Sequence, residues 1–166
     1  MNHSKRKRIL ELQAEEERFR EKFPDLQQVI RSIVVEVTSW PEVERSNYVY
    51  GGTEFRIFNR NVGHIHSNGL LDLPFKKQVR DQVIACGMAD WHHFGKKMMW
   101  VSVKISASSD FHKARPLLLL SCFIKARDYF GHFPELELFL RTELDRLQLP
   151  LEILQSAGYL HPQHEL

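Results

Sequence analysis

At 166 residues, with 43% hydrophobic and 27% charged side chains, the chain has the size and make-up of one globular domain that can bury an apolar core without disulfide or metal staples. A net charge of +2 excludes a strong uniform field toward phosphate backbones. No apolar run exceeds four residues, as at Leu117 to Leu120, far short of the roughly 18 that a bilayer span needs, so no membrane passage is expected.

The basic run Lys5, Arg6, Lys7 and Arg8 is followed by Glu11 and by Glu15 to Glu17, where an export signal would need an apolar stretch. Residues 5 to 23 carry Ile9, Leu12, Phe19 and Phe23 on one helical stripe, with Glu16 and Arg20 spaced for an i,i+4 pair. Pro24 and Asp25 mark a restart, with Asp25 as N-cap of a second helix. Its apolar positions Leu26, Val29, Ile30, Ile33 and Val37 repeat at three and four, and it ends near Trp40-Pro41. Beyond Pro41 the period changes to two from Val43 to Tyr50. Gly51-Gly52 signals a hairpin, and Phe55, Ile57, then Val62, His64 and His66 continue as short strands broken at Asn59-Arg60-Asn61. A three-stranded antiparallel meander is expected.

Asp72 caps and Pro74 opens a predicted helix carrying Phe75, Val79, Val83 and Ile84 and closed by Gly87. Met98 to Ile105 reads as a fourth strand. Ser109-Asp110 caps a long helix with Phe111, Ala114, Leu117, Leu118 and Ser121, in which Pro116 either forces a kink or belongs to the first turn. Pro134 and Pro150 open two further helices. The expected class is α+β: an antiparallel sheet of about four strands in a βββαβα core, helices packed on one face, and helical extensions at both ends. One domain over 1–166 is expected, with N-terminal helices at 1–41, the α+β core at 42–126 and a C-terminal helical extension at 127–166.

Chemistry concentrates at Gly63-His64-Ile65-His66, followed by Asp72 and by His92-His93. Residues two apart on a strand share a face, which puts the His64 and His66 imidazoles within about 7 Å, close enough to chelate one ion. Asp72 and one of His92 or His93 are candidates for a third ligand. Imidazole plus carboxylate suits a divalent transition metal, zinc or iron, and leaves a position open. The alternative is that His64 and His66 are sheet-face residues satisfied by Asp72, Glu54 or backbone carbonyls. His92-His93 is expected in a surface turn, where adjacent side chains diverge and only one can join a site.

Other chemistries lack support. Cys86 and Cys122 fall in apolar stretches read as helices, which predicts two buried free thiols and a reducing, cytoplasmic setting. Ser67, Ser102 and Ser121 lack a nucleophile-elbow context. Gly51-Gly52 precedes a strand and not a helix N-terminus, so it is no phosphate loop. Nucleic acid is a weak expectation, since no aromatic interleaves with Lys5 to Arg8. Trp91 and Trp100 read as core or pocket-wall residues.

The run Gly52-Thr53-Glu54-Phe55-Arg56, Gly63-His64-Ile65-His66, Asp72-Leu73-Pro74-Phe75, Arg80-Asp81, Gly87-Met88-Ala89, His92-His93 and Trp100-Val101-Ser102, with Ser109-Asp110 before a leucine-rich helix, resembles the small luciferase-domain family over about residues 45–124. The resemblance implies that His64, His66, Asp72, Arg80 and His92 or His93 occupy recurrent polar positions, and it carries no defined reaction. Asn61, which cannot ionise, stands where family members often carry glutamate. The expectation is a metal or small-ligand site at a histidine-rich pocket floored by the sheet and closed by the Trp91 to Trp100 loop. His64, His66, Asp72, His92 and His93 are its candidate metal ligands, and Arg80, Trp100 and Glu54 its candidate ligand contacts. The alternative is a non-catalytic interaction module whose helical flanks bind a protein partner or a second copy.

Overall fold

The computed structural model describes residues 3–159. It is a mixed α+β structure with α1 (His3–Lys22), α2 (Pro24–Thr38), β1 (Val43–Asn47), β2 (Thr53–Ile57), β3 (Arg60–Ile65), β4 (Leu70–Pro74), α3 (Lys77–Ala85), β5 (Asp90–Trp91), β6 (Trp100–Lys104), α4 (Phe111–Ala126), α5 (Pro134–Leu147) and α6 (Leu151–Ser156). The six strands form one antiparallel sheet in the order β1-β2-β3-β4-β6-β5. Among the described residues no helix is long and apolar enough to cross a membrane.

The sheet has more strands than the expected four, and one of the additions matters for the site. Leu70 to Pro74 is a strand and not a helix start: Asp72 pairs with His64 on one side and Ser102 on the other, and α3 begins only at Lys77, without a side-chain cap. Pro74 is tolerated because it ends its strand, where a missing N–H costs least. At α2, Pro24 takes the first helical position and Phe23 the cap, so Asp25 lies inside the first turn. Pro116 lies within α4. Cys86, expected to be buried, ends α3 and is exposed, whereas Cys122 is buried.

Pleating divides the sheet into two unlike faces. One carries Phe55, Ile57, Ile65, Leu71, Leu73, Val101 and Val103, all buried, and α4 packs on it across β2, β3 and β4, with α2 against β1 and β2. The helices α5 and α6 extend the same core through Leu136, Leu140, Leu144, Ile153 and Leu154. The other face carries a polar row of directly opposed partners: Ser46, Glu54, His64, Asp72, Ser102 and Asp90.

The strand that bears the histidines is fixed from below. A bulge between Phe55 and Arg56 leaves Val62 out of register, and the buried Ser121 hydroxyl of α4 donates to the Val62 carbonyl at 2.7 Å. Next to it, Gly63 lets β3 and β4 close up, since a Cβ there would lie 2.9 Å from both the Asp72 carbonyl and Leu73 Cδ2. Gly63→Ala is therefore expected to cost roughly 1–3 kcal/mol, as overpacking does in tight cores, and urea unfolding of the variant measures it.

Candidate functional site

Asp72 has no exposed surface, and a buried carboxylate must find compensation. Its Oδ1 accepts a hydrogen bond from the Ser102 hydroxyl, its neighbour in the polar row. Around Oδ2 stand four imidazole nitrogens: His64 Nε2 and His92 Nε2 at 3.4 Å, His66 Nε2 at 3.6 Å and His93 Nδ1 at 3.8 Å. These separations exceed the 2.7–3.2 Å of a hydrogen bond to nitrogen, and Oδ2 has no hydrogen-bond partner. Two groups, His64 with His66 and Asp72, and Asp72 with His92 and His93, bring their ligand atoms within 4.8 Å of one another and could hold a metal ion.

His64 and His66 do share a face, with ring centroids 5.0 Å apart, as the two-residue spacing predicts. The expectation that His92 and His93 diverge is corrected: the rings lie 4.1 Å apart and both point at Asp72, His92 buried and the His93 side chain 41% exposed. Asp72 is a strand residue at the centre of the cluster and caps no helix. Trp100, opposite Pro74, leans on His64 at 5.0 Å. Glu54 is opposite His64 but is engaged by Ser46, Arg56 and Asn61. Arg80 lies away from the cluster, where it clamps the connection before β6: its guanidinium donates to the carbonyls of Met98 at 2.8 Å and Lys96 at 3.2 Å and to Asp81, and it covers the Trp91 ring.

Two contributors were not anticipated. Glu16 of α1 accepts from His66 Nδ1 at 2.8 Å and from the Ser67 backbone N–H at 2.7 Å. The expected Glu16–Arg20 pair does not form, and Arg20 bonds Glu17 instead. Tyr48, just past β1, stacks on His64 at 3.8 Å. With these residues α1, the β1–β2 turn and the Trp91 to Trp100 connection wall a cavity of about 710 Å³ above the cluster, lined also by Phe19, Tyr50, Phe94 and Met98.

Hydrogen-bond geometry assigns the ring protons. His66 donates Nδ1–H to Glu16, which leaves Nε2 as the free lone pair of a neutral ring. His92 Nδ1 accepts from the Phe94 N–H at 3.2 Å, so the neutral ring carries its proton on Nε2, toward Asp72. Burial by itself lowers the His66 pKa, but the Asp72 and Glu16 carboxylates outweigh it and raise it to about 9. Burial pushes Asp72 up, but the imidazoles of His64 and His66 and the Ser102 hydroxyl hold it far below the usual carboxylate range. His64 and His92 are lowered, chiefly by burial.

The site is thus a sheet-borne histidine–aspartate cluster beneath an aromatic-walled cavity. Residues 59–121 match the family model described as Luciferase domain, so the resemblance is borne out over that segment. All four clustered histidines and Asp72 fall inside the match, whereas Glu16 and Tyr48 come from outside it. No curated protein and no solved structure matches the chain.

In the metal-free chain the His66 ring is expected to titrate near pH 9 in proton NMR, and Glu16→Gln to move the midpoint toward the ordinary 6.5. A raised imidazole pKa stabilises the fold fully below pH 6.5 and loses that contribution as pH rises through about 9. The unfolding free energy of the wild type should therefore fall toward that of His66→Gln between those two values.

Proposed function

We propose that this protein holds one divalent transition-metal ion through His64 Nε2, His66 Nε2 and Asp72 Oδ2, and binds a small ligand at the open side of that ion. The observation that carries the reading is Asp72 Oδ2, sealed from solvent, without a hydrogen bond, and faced by imidazole nitrogens. An ion bonded at 2.0–2.1 Å in tetrahedral geometry separates its ligand atoms by roughly 3.3–3.5 Å, which is where His64 and His66 stand from Asp72, at 3.4 and 3.6 Å.

The proton assignments support the same division of labour. Glu16 orients His66 in the manner of the carboxylates that fix metal-bound imidazoles. His92 turns its Nε2–H toward Asp72 at 3.4 Å, beyond hydrogen-bond range, and attracts the carboxylate from the other side as a dipole. Two imidazoles and one carboxylate suit zinc or iron(II) and leave positions free for water or ligand oxygen. When bound, the ion supplies Lewis acidity and lowers the pKa of a water beside it. The walls of Tyr48, Tyr50, Phe94 and Trp100 favour a flat or apolar ligand body.

Calorimetric titration of the metal-free full-length chain with zinc, iron(II) or manganese(II) tests this. One ion per chain is expected, with about one proton released from His66 at pH 7.5, read from the dependence on buffer ionisation heat. Asp72→Asn and His66→Ala should each weaken binding at least about 100-fold, and Glu16→Gln roughly 10- to 100-fold, with circular dichroism verifying the fold of each. A wild-type chain with no affinity for any of these ions near neutral pH sinks the proposal.

A further inference from the structure

A second cavity, of about 560 Å³, lies on the opposite side of the sheet from the histidines, between α2 and the β1–β2 hairpin. Its size is that of a small-molecule site, and its lining is unusual in charge. Arg20, Arg31 and Arg45 border it, and no aspartate or glutamate does. Arg20 bonds Glu17, but among the described residues Arg31 and Arg45 make no ion pair. In a chain whose net charge is only +2, three guanidinium groups on one cleft are a local concentration of positive charge.

The position of Arg45 sharpens the point. By register it opposes Phe55, on the sheet face whose central strands carry buried apolar side chains toward the helices. At the β1 edge that face passes from Val43, which is buried, to Arg45 and Asn47, which are exposed. The apolar layer therefore opens into the cleft, where the side chains of Ile30, Val34 and Ile65 still form part of the wall. One wall is apolar and the rim is cationic.

Neutral polar residues complete the lining. Gln27 is buried with its Nε2 fixed on the Ser67 carbonyl at 2.8 Å, and the Ser67 hydroxyl is buried and has no hydrogen-bond partner. Ser67 sits between the two cavities, lining both, and its electrostatic neighbour on the histidine side is the Glu16 carboxylate, so the free cationic groups of this cleft are Arg31 and Arg45. The paired donors of a guanidinium match carboxylate and phosphate oxygens two at a time, and desolvation beside an apolar wall strengthens that match.

We propose that this cleft binds a small amphipathic anion, a carboxylate or phosphate head on a short apolar body. The head sits between Arg31 and Arg45, and the body lies along Ile30, Val34 and Ile65. The site is separate from the histidine cluster and does not depend on a metal there.

Amide NMR shifts of the ¹⁵N-labelled full-length, metal-free chain test it, with octanoate and octyl phosphate as probes and acetate and octan-1-ol as comparators. At least one probe should give saturable shifts at the backbone amides of Gln27, Ile30, Asn47 and Thr53. The double variant Arg31→Ala with Arg45→Ala should bind that probe at least tenfold more weakly. Both arginines are exposed, so the variant should keep its fold, which an unchanged spectrum elsewhere verifies. Acetate and octan-1-ol, each lacking half of the recognised chemistry, should be weaker. The proposal is overturned if neither probe shifts these amides, if shifts appear only around Tyr48 and His66, if octan-1-ol matches the probes, or if the double variant binds as tightly as wild type.

Discussion

Burying the Asp72 carboxylate is costly unless charge and hydrogen bonds are brought to it, and much of the polar side of this protein is organised around that requirement. One oxygen takes the Ser102 hydroxyl, and the other is left facing imidazoles from two different parts of the chain. The strand pair β3–β4 supplies His64 and His66 by register, and the segment after β5 supplies His92 and His93. Four nitrogens stand 3.4–3.8 Å from that oxygen, the spacing on which the proposed metal site rests.

Such an arrangement demands a sheet whose register cannot slip, because a shift of one residue would turn the histidines into the core. The bulge at Val62 and the glycine beside it meet this demand together. Ser121 anchors the displaced carbonyl, and the missing side chain at Gly63 lets β4 close against β3. The apolar face, packed on α4, thereby fixes what the polar face presents.

Much of this was legible in the sequence where the signal is local. Two-residue spacing put His64 and His66 on one face, the alternation after Pro41 announced the meander, and Trp100 read as a pocket wall. The failures lie where long-range partners decide. Leu70 to Pro74 carries a capping residue and a proline that suit a helix start equally well, and only pairing with β3 and β6 makes it a strand. Asp90-Trp91 is too short to show any period. His92 and His93 converge because a shared carboxylate draws both rings to it. Glu16 did leave a trace: Ile9, Leu12 and Phe19 skip one position of their helical stripe, and the residue in the gap is Glu16. A carboxylate inside an apolar stripe points inward to something cationic, here His66.

That bond also bears on how α1 relates to the site. The helix is mostly exposed, with Ile9 its one buried side chain among the described residues, so its polar ties to the sheet carry unusual weight. They are Glu16 to His66 and Ser67, and Gln13 to the Val49 carbonyl. A protonated His66 donates Nδ1–H to Glu16, and a neutral His66 coordinating an ion through Nε2 donates the same proton to the same oxygen. On the proposed reading, the exchange of proton for metal thus takes place at the nitrogen facing Asp72 and leaves the nitrogen facing α1 unchanged. The cavity wall formed by α1 would keep its anchor in both states, so an ion bound as proposed would enter a cavity whose α1 wall is already in place.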